Sequence, residues 1–336
     1  MASTPGADAT AVPSPAGSQR ACACPEQTMS GMENESIAEG RVRRRDWIRV
    51  TRGAHRLAAA EDPWRAELAA WQLVLPTSAV FTGLTVARTR GWWLPPLPTD
   101  APVFVATDSA TGRPVRPGLV ATRHAEPPSS ELQMGLRLAP APEALLACAR
   151  VVCLLDLVVL VDSALHQGDC TLGELRAVGT RQRRGAPLLR RAVDLADGRS
   201  ESAFETLLRL LHVACGIAVE PQRVVVDEYG NFVARGDLWL VGTTTLHEYD
   251  GAEHLTRPRQ RKDLARARRM NGVEWVRRGY TSVEVLHQGV AILRDADLAV
   301  GRPHRPERIR AWHALLRESL FTASGAARFR SRVGLA

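Results

Sequence analysis

Three carboxylate side chains lie near the ends of two consecutive apolar segments, where they could share one ligand. Asp237 lies in the segment 232–241, and Glu248 and Asp250 lie two residues apart on the next segment. Both segments are predicted to be β-strands, so Glu248 and Asp250 should face the same side of a sheet, and a hairpin can bring Asp237 beside them. Converging carboxylates repel one another unless a hard divalent cation neutralises them, which makes Mg²⁺ or Mn²⁺ the expected cofactor.

Two further residues follow this group and could complete a catalytic site. Gly251 permits a sharp turn directly after Asp250. His254 then lies within reach as a base or a proton shuttle. Plainer interpretations stay open, because Asp250 could be only the turn residue before Gly251, and His254 could be a loop histidine without a chemical role.

The elements that must position these side chains follow from apolar spacing. Ser202 can cap a helix that carries apolar residues at helical spacing as far as Gly216. Three strands, a basic helix and a fourth strand are predicted after it, and this order is typical of an α/β sandwich. The predicted strands are 223–226, 232–241, 243–249 and 273–277, and the predicted basic helix is 258–271.

The predicted basic helix and the strand after it are strongly cationic. Residues 259–278 hold eight basic residues against Asp263 and Glu274. A run of charge is usually a solvated face. Beside three carboxylates it suits phosphodiester cleavage, in which acids hold a metal ion and bases hold phosphates. The basic residues are Arg259, Arg261, Lys262, Arg266, Arg268, Arg269, Arg277 and Arg278.

Several short motifs occur in an order that resembles the endonuclease-like domain related to very-short-patch-repair endonuclease, a branch of the PD-(D/E)-x-K nuclease superfamily. The resemblance covers about residues 199–290, and Ser202-Ala-Phe-Glu205 with Arg209 matches the first helix of that domain. It implies a restriction-endonuclease-like sandwich of a mixed sheet with flanking helices, which hydrolyses phosphodiester bonds in DNA. The other motifs are Arg235-Gly-Asp237, Glu248-Tyr-Asp-Gly-Ala-Glu-His254, Arg261-Lys-Asp-Leu-Ala-Arg266 and Gly272-Val-Glu-Trp-Val-Arg277.

The resemblance implies a role for each matching residue. Asp237 corresponds to the first metal-binding aspartate of the family, and Glu248 corresponds to the acidic residue of the next strand. Asp250 occupies the position of the superfamily's lysine. With that lysine absent, His254 is the first candidate for activating the nucleophile, and Lys262 on the following helix is the second.

Glu205 has two interpretations that the sequence leaves open. Through the resemblance it is a further metal ligand beside Asp237 and Glu248. Through its position three residues after Ser202 it is the far half of a capping box. The contacts with DNA are expected at Arg209, Arg259, Arg261, Lys262, Arg266 and Arg269.

The N-terminal half begins with the basic segment 41–56, in which alternation and Gly53 predict a β-hairpin. With the helices and short strands that follow, this half resembles the antitoxin domain of abortive-infection type IV toxin–antitoxin systems, a winged-helix-like module. The resemblance implies an α+β fold and a cognate toxin as a partner. Because the later half lacks the superfamily lysine, the alternative function is a catalytically degenerate nuclease fold that acts as a DNA-binding regulator or antitoxin.

The composition agrees with a soluble chain of more than one domain that binds a polyanion. The chain has 336 residues, of which 45% are hydrophobic, and a formal net charge of +8. Of its 44 basic residues only Lys262 is a lysine, and guanidinium groups suit phosphate well. The six cysteines are scattered, which argues against a zinc site or a disulfide scaffold.

The distribution of residue types predicts five segments in a cytoplasmic protein. The first residues are rich in Ala, Pro, Ser and Gly, which is typical of disorder, and they contain no signal peptide. Charges interrupt the most apolar stretch, 144–165, which excludes it as a membrane span. The segments are a disordered tail (1–38), an antitoxin-like α+β domain (39–180), a basic connector (181–198), an endonuclease-like domain (199–300) and a C-terminal helical extension (301–336).

Overall fold

The protein, described here as a computed structural model, belongs to the mixed α/β class. Within the residues that the structure describes, it contains three sheets and eleven α-helices. The predicted site residues His254, Arg259, Arg261, Lys262, Arg266 and Arg269 lie outside them, as does the predicted basic helix. The described residues are 36–42, 45–126, 128–251 and 274–335.

The described chain opens with a small antiparallel sheet. Its strands are β1 (Ile37–Glu39), β2 (Trp47–Thr51) and β3 (Ala54–Leu57). β2 and β3 form the predicted basic hairpin, and Gly53 turns the chain in the left-handed region with φ at 85°. β1 pairs with β3, so Ile37 and Ala38, which the sequence assigns to the tail, belong to this sheet. The segment in which a winged helix would place helices before its hairpin, 1–35, lies outside the described residues.

A five-stranded mixed sheet forms the centre of the N-terminal half. Its strand order is β6-β5-β4-β8-β7, in which β5 pairs with β6 and β4 with β8 in parallel. The helix before the sheet starts with proline and is capped by Asp62, whose carboxylate accepts a hydrogen bond from the Arg65 amide at 2.9 Å. The elements are α1 (Pro63–Val74), β4 (Val80–Phe81), α2 (Gly83–Thr89), β5 (Val103–Asp108), β6 (Leu119–His124), β7 (Glu131–Gln133) and β8 (Leu136–Leu138).

Four helices follow, α3 (Ala141–Cys148), α4 (Leu154–His166), α5 (Leu172–Gly179) and α6 (Ala186–Leu195). A capping box begins α5, in which Thr171 and Glu174 satisfy each other's backbone amides. The segment 181–198, predicted to be a basic connector, is mostly helical. α6 occupies most of it and buries Leu189 among the helices. The prediction followed the many arginines of this segment and did not include the helical spacing of its apolar residues.

The second half is built on a four-stranded sheet, preceded by α7 (Ala203–Ala214). The strands are β9 (Val219–Val226), β10 (Phe232–Leu240), β11 (Thr245–Tyr249) and β12 (Val276–Tyr280). The sheet order is β12-β11-β10-β9, with β9, β10 and β11 antiparallel and β12 parallel to β11. This arrangement agrees with the predicted order of a helix, antiparallel strands and a returning strand.

The C-terminal residues form helices, as the sequence predicts, and they pack on the N-terminal half. The helices are α8 (Ser282–His287), α9 (Gly289–Ala299), a 3₁₀ helix (Pro306–Ile309), α10 (Arg310–Glu318) and α11 (Ala323–Val333). Trp312 and Phe329 are buried. The buried carboxylate of Asp156 in α4 accepts hydrogen bonds from the Ser319 hydroxyl and, at 3.0 Å, from the Leu320 amide, which fixes the junction of α10 and α11.

One cluster of buried apolar side chains runs through both halves of the protein. It extends from Leu68 to Phe329 and includes residues of α4, α7 and α10. The predicted domain boundary near Gly198 is therefore not a gap in the packing, and a Cβ atom added at Gly198 would lie 2.7 Å from Cβ of Leu165. None of the helices in the described ranges is long and apolar enough to cross a bilayer.

Candidate functional site

The first turn of α7 places Glu205 at the edge of the four-stranded sheet. The Ser202 hydroxyl caps the helix by accepting a hydrogen bond from the Glu205 amide at 3.1 Å. The carboxylate is not bonded to the backbone amide of Ser202, as a capping box would require. Instead its Oε2 atom accepts hydrogen bonds from the Glu201 amide at 2.8 Å and from Nε2 of Gln222 at 2.9 Å. The side chain of Glu205 is therefore directed toward β9.

Glu205 carries a perturbed acid group because of its surroundings. The residue is only 9% exposed. Burial, and to a smaller extent the neighbouring charge of Asp237, raise the pKa of Glu205 to about 7, although its hydrogen bonds oppose this shift. The charge of Asp237 in β10 therefore acts on the ionisation of Glu205 in α7, and acids with perturbed pKa values are common at functional sites.

Asp237 connects β10 to the end of β11. The ladder between these strands pairs Leu238 with His247, and the Asp237 carboxylate one residue earlier accepts a hydrogen bond from the Tyr249 amide at 2.9 Å. The ring of Tyr249 stacks on Phe204 of α7 with 4.9 Å between ring centroids. These contacts hold the start of α7 and the end of β11 together around Asp237.

Glu248 and Asp250 lie on the same face of the sheet, as the two-residue spacing predicts, and they share one cation. Nε of Arg277 donates to the buried Glu248 carboxylate, and Nη2 of Arg277 donates to Oδ1 of Asp250 at 3.0 Å. Arg277 comes from the parallel neighbour β12. Arg277 thus provides these two carboxylates with the positive charge that was predicted to come from a metal ion.

Gly279 makes room for this arrangement. A Cβ atom added at Gly279 would lie 1.6 Å from Oδ2 of Asp250, so the carboxylate occupies the space that any other residue would fill. Gly279 pairs with Glu248 in the parallel ladder. The glycine therefore allows the Asp250 carboxylate to lie across β12 and reach Arg277.

The fit of a metal ion to these residues is partial. In the ranges that the structure describes, no three or more His, Cys, Asp or Glu side chains form a group that could hold a metal ion. Glu205 and Asp237 offer carboxylate oxygens, the ligand type that a hard divalent cation prefers, and the charge of Asp237 acts on Glu205. Glu248 is engaged by Arg277, so it would join them only by exchanging that partner.

The prediction that Arg209 contacts DNA is wrong. Its side chain is 6% exposed, and Nη2 lies 2.7 Å from Oδ2 of Asp162 in α4. Its Nη1 donates to the carbonyl oxygen of Leu195 at 2.7 Å. A guanidinium held in the interior by these partners cannot reach a phosphate, so Arg209 has a structural role.

Two site residues were missed from the sequence. Arg277 was seen only as one member of a basic run, although its place in a predicted strand could have paired it with the carboxylates of a neighbouring strand. Gln222 holds the Glu205 carboxylate from a left-handed backbone conformation with φ at 56°. Glutamine has no tendency toward that conformation, so nothing in the sequence signals it.

Comparisons with known proteins identify no relative of the chain. It was compared with protein-family models, with curated proteins and with solved structures, and no match was found in any of the three. The assignment of a function therefore depends on the motifs of the sequence and on the geometry of the carboxylate site.

Proposed function

We propose that the protein is a metal-dependent endonuclease-like enzyme that hydrolyses phosphodiester bonds in DNA. The observation that carries this proposal is the buried carboxylate of Glu205, whose pKa is raised to about 7 first by burial and then by the charge of Asp237. Such an arrangement costs folding free energy unless a ligand such as Mg²⁺ or Mn²⁺ offsets the repulsion. Carboxylates of this kind are suited to holding a hydrolytic metal ion.

The arrangement of secondary structure supports the same proposal. The helix α7, the antiparallel strands β9, β10 and β11, and the parallel strand β12 follow the order expected for a restriction-endonuclease-like sandwich. Asp237 and Glu248 lie on its two central strands, which are the positions that the resemblance assigns to the metal-binding acids.

Each residue of the site then has a stated role. Glu205, Asp237 and Glu248 would hold the ion, which when bound supplies an activated water and neutralises charge on the phosphate. Arg277, 37% exposed, would leave Glu248 and bond a phosphate oxygen of the substrate. Asp250 would then orient the displaced guanidinium, since it remains bonded to Nη2. His254 and Lys262 stay candidates for moving the proton.

The test is cleavage of supercoiled plasmid DNA in the presence of Mg²⁺ or Mn²⁺ by the full chain and by Asp237→Asn. We expect nicking by the wild type and a loss of about a hundredfold or more in the variant, because changing even a hydrogen-bond partner of a metal ligand costs about 10–100-fold. Glu228→Gln is the matched control, because Glu228 is an exposed acid in the turn between β9 and β10. Equal activity of Asp237→Asn and the wild type would contradict the proposal.

A second function is favoured by the contact of Arg277 with Glu248 and Asp250. If that ion pair is permanent, the fold binds DNA without cleaving it and acts as a regulator or antitoxin, whose cognate toxin stays a prediction from the resemblance. This candidate predicts that DNA binding survives both EDTA and Asp237→Asn, with no nicking at any metal concentration. Electrophoretic mobility shift of the same plasmid fragments distinguishes the two functions.

A further inference from the structure

A second cationic site is built from residues of the N-terminal half. A cavity of about 410 Å³ opens between the end of β6, the helix α3 and the segment that joins α5 to α6. Its size is in the range of small-ligand sites. Six basic side chains line it, those of Arg123, His124, Arg150, Arg181, Arg183 and Arg184.

The acidic residues of this cavity do not balance its cations. Glu143 accepts hydrogen bonds from Nη1 of Arg181 at 2.8 Å and from Nη1 of Arg183 at 2.7 Å, so its carboxylate is already used twice. The other acidic residue of the lining, Glu126, is exposed. The lining therefore carries a clear excess of positive charge.

Three of the arginines have no counter-ion among the residues that the structure describes. Within the described residues, no carboxylate oxygen lies within 4.0 Å of the guanidinium of Arg123, Arg150 or Arg184. Arg150 is partly buried, whereas Arg123 and Arg184 are exposed at the mouth of the cavity. Groups of this kind attract a multivalent anion.

Burial and the close positive charges lower the pKa of two side chains in the cavity. Burial, and then the charges of Arg184 and Arg183, lower the pKa of Arg150. Burial, and then the charges of Arg183 and Arg150, lower the pKa of His124. A bound anion would remove this repulsion, so its binding should stabilise the folded protein.

The backbone at Gly185 places the segment that carries Arg183 and Arg184 close to α3. Gly185 has φ at 96°, and a Cβ atom there would lie 2.9 Å from the carbonyl oxygen of Leu146 and 3.1 Å from Cγ of Arg150. Only glycine allows the segment to approach α3 this closely. Nη2 of Arg183 is also 3.3 Å from Nδ1 of His124. A site ordered in advance binds with a smaller entropic cost.

An adjoining cavity of about 350 Å³ lengthens the cationic surface. The two cavities share part of their lining, so they form one cleft that is longer than a single phosphate. The shared lining includes Thr82, Arg123, Arg150 and Arg184, and the second cavity adds Arg113 and Arg332.

We propose that this cleft binds a ligand that presents two or more phosphate groups, either a nucleoside polyphosphate or the backbone of a nucleic acid strand. Guanidinium groups donate paired hydrogen bonds to phosphate oxygens and keep their charge at every physiological pH. The proposal is independent of the nuclease function, because it uses other residues and its test measures binding.

The test is isothermal titration calorimetry of the full chain at low salt with three separate probes: sodium pyrophosphate, ATP and a short single-stranded oligonucleotide. We expect at least one probe to bind saturably, and the double variant Arg150→Gln/Arg184→Gln to weaken that binding by at least about tenfold. Arg184→Gln alone changes only an exposed side chain, so it keeps the test valid if the double variant folds poorly. The control is Arg310→Gln, which removes the same charge from an exposed position on α10.

Each outcome bears on the proposal. Binding of pyrophosphate and ATP that is lost in the arginine variants supports the site and identifies a small ligand, whereas binding of the oligonucleotide alone identifies a nucleic acid strand. The proposal is overturned if none of the probes binds saturably. It is also overturned if Arg310→Gln weakens binding as much as the variants within the cleft, because the effect would then be one of net charge.

Discussion

The imidazole rings of His212 and His247 are hydrogen-bonded to each other in the core, with Nε2 of His212 2.9 Å from Nδ1 of His247. Nδ1 of His212 donates to the carbonyl oxygen of Leu208 at 2.7 Å, so Nε2 of His212 must accept and Nδ1 of His247 must donate. Nε2 of His247 then faces the Tyr280 hydroxyl at 3.4 Å. The hydrogen bond that joins α7 to the sheet therefore requires His212 to be neutral, because a protonated ring would have no acceptor nitrogen.

This pair predicts that acid destabilises the protein. Burial lowers the pKa of His212 to about 4, and burial together with the charges of His212 and Arg278 lowers the pKa of His247 further. Between pH 6.5 and about 4 the unfolded chain binds protons that the folded chain does not. The free energy of unfolding should therefore decrease by about 1 kcal/mol for each ring with every unit by which the pH is lowered. Urea unfolding at pH 7 and pH 5 measures this slope.

A double variant isolates the contribution of the two rings. His212→Leu/His247→Leu removes both partners together, and it should remove the part of the pH slope that the rings cause and leave the opposite contribution of Glu205, while the stability at pH 7 changes less than in either single variant. His313→Gln, at an exposed position of α10, should keep the slope of the wild type. An undiminished slope in the double variant would show that other groups cause the acid sensitivity.

Arg209 should be essential for folding rather than for DNA binding. Asp162 is fully buried and accepts hydrogen bonds from Arg209, from the Thr206 hydroxyl at 2.8 Å and from the Asp197 amide at 2.7 Å. Arg209→Met would leave the buried carboxylate without its cation, which typically costs about 3–5 kcal/mol. The measurement is the free energy of unfolding in urea at pH 7.

The control for Arg209 is Arg176→Met, because Arg176 is exposed on α5. It should change the stability by less than about 0.5 kcal/mol. Adding Asp162→Asn to Arg209→Met should recover part of the loss, since the uncompensated charge disappears. A loss of under about 1 kcal/mol in Arg209→Met would contradict the structural role.

Glu205→Gln should stabilise the protein at alkaline pH. The pKa of Glu205 is raised to about 7, so the folded chain holds a proton that the unfolded chain releases above its usual value of 4.5, and stability falls as pH rises between these values. Glutamine keeps an acceptor for the Glu201 amide and carries no charge. We expect a gain of about 1 kcal/mol or more at pH 8.

Thermal unfolding with and without Mg²⁺ extends this prediction to function. Mg²⁺ should raise the melting temperature of the wild type and have little effect on Glu205→Gln, because the ion offsets the repulsion that the variant has already removed. Glu228→Gln should behave like the wild type in both conditions. If Glu205→Gln lowers stability at pH 8, the carboxylate is a structural acceptor and the metal assignment loses its main support.

The sequence predicted those parts of the site that depend on local periodicity. The common face of Glu248 and Asp250 follows from the two-residue repeat of a strand, and Ser202 indicates where α7 begins. Arg277 could not be placed in the same way, because its contact with Glu248 depends on the parallel register of β11 and β12, which are separated by 26 residues of chain.

Other features were hidden for a related reason. Arg209 looked like a surface cation because its partner Asp162 lies on α4, 47 positions earlier in the chain. The helix α6 was not predicted, because arginines are frequent in its segment, although its apolar residues are buried. In each case the side chain is explained by a partner from a distant element, and no local pattern specifies such a partner.

The apolar core that both halves share matters during synthesis. α4 emerges from the ribosome well before α7 and α10, which pack on it in the finished protein. Until Trp312 has been translated, α4 can be covered only by its neighbours α3 and α6, and its apolar face toward α7 and α10 is incompletely buried. We therefore expect the core to be completed only after α10 has been translated, and a cut at Gly198 to leave apolar surface exposed on both halves.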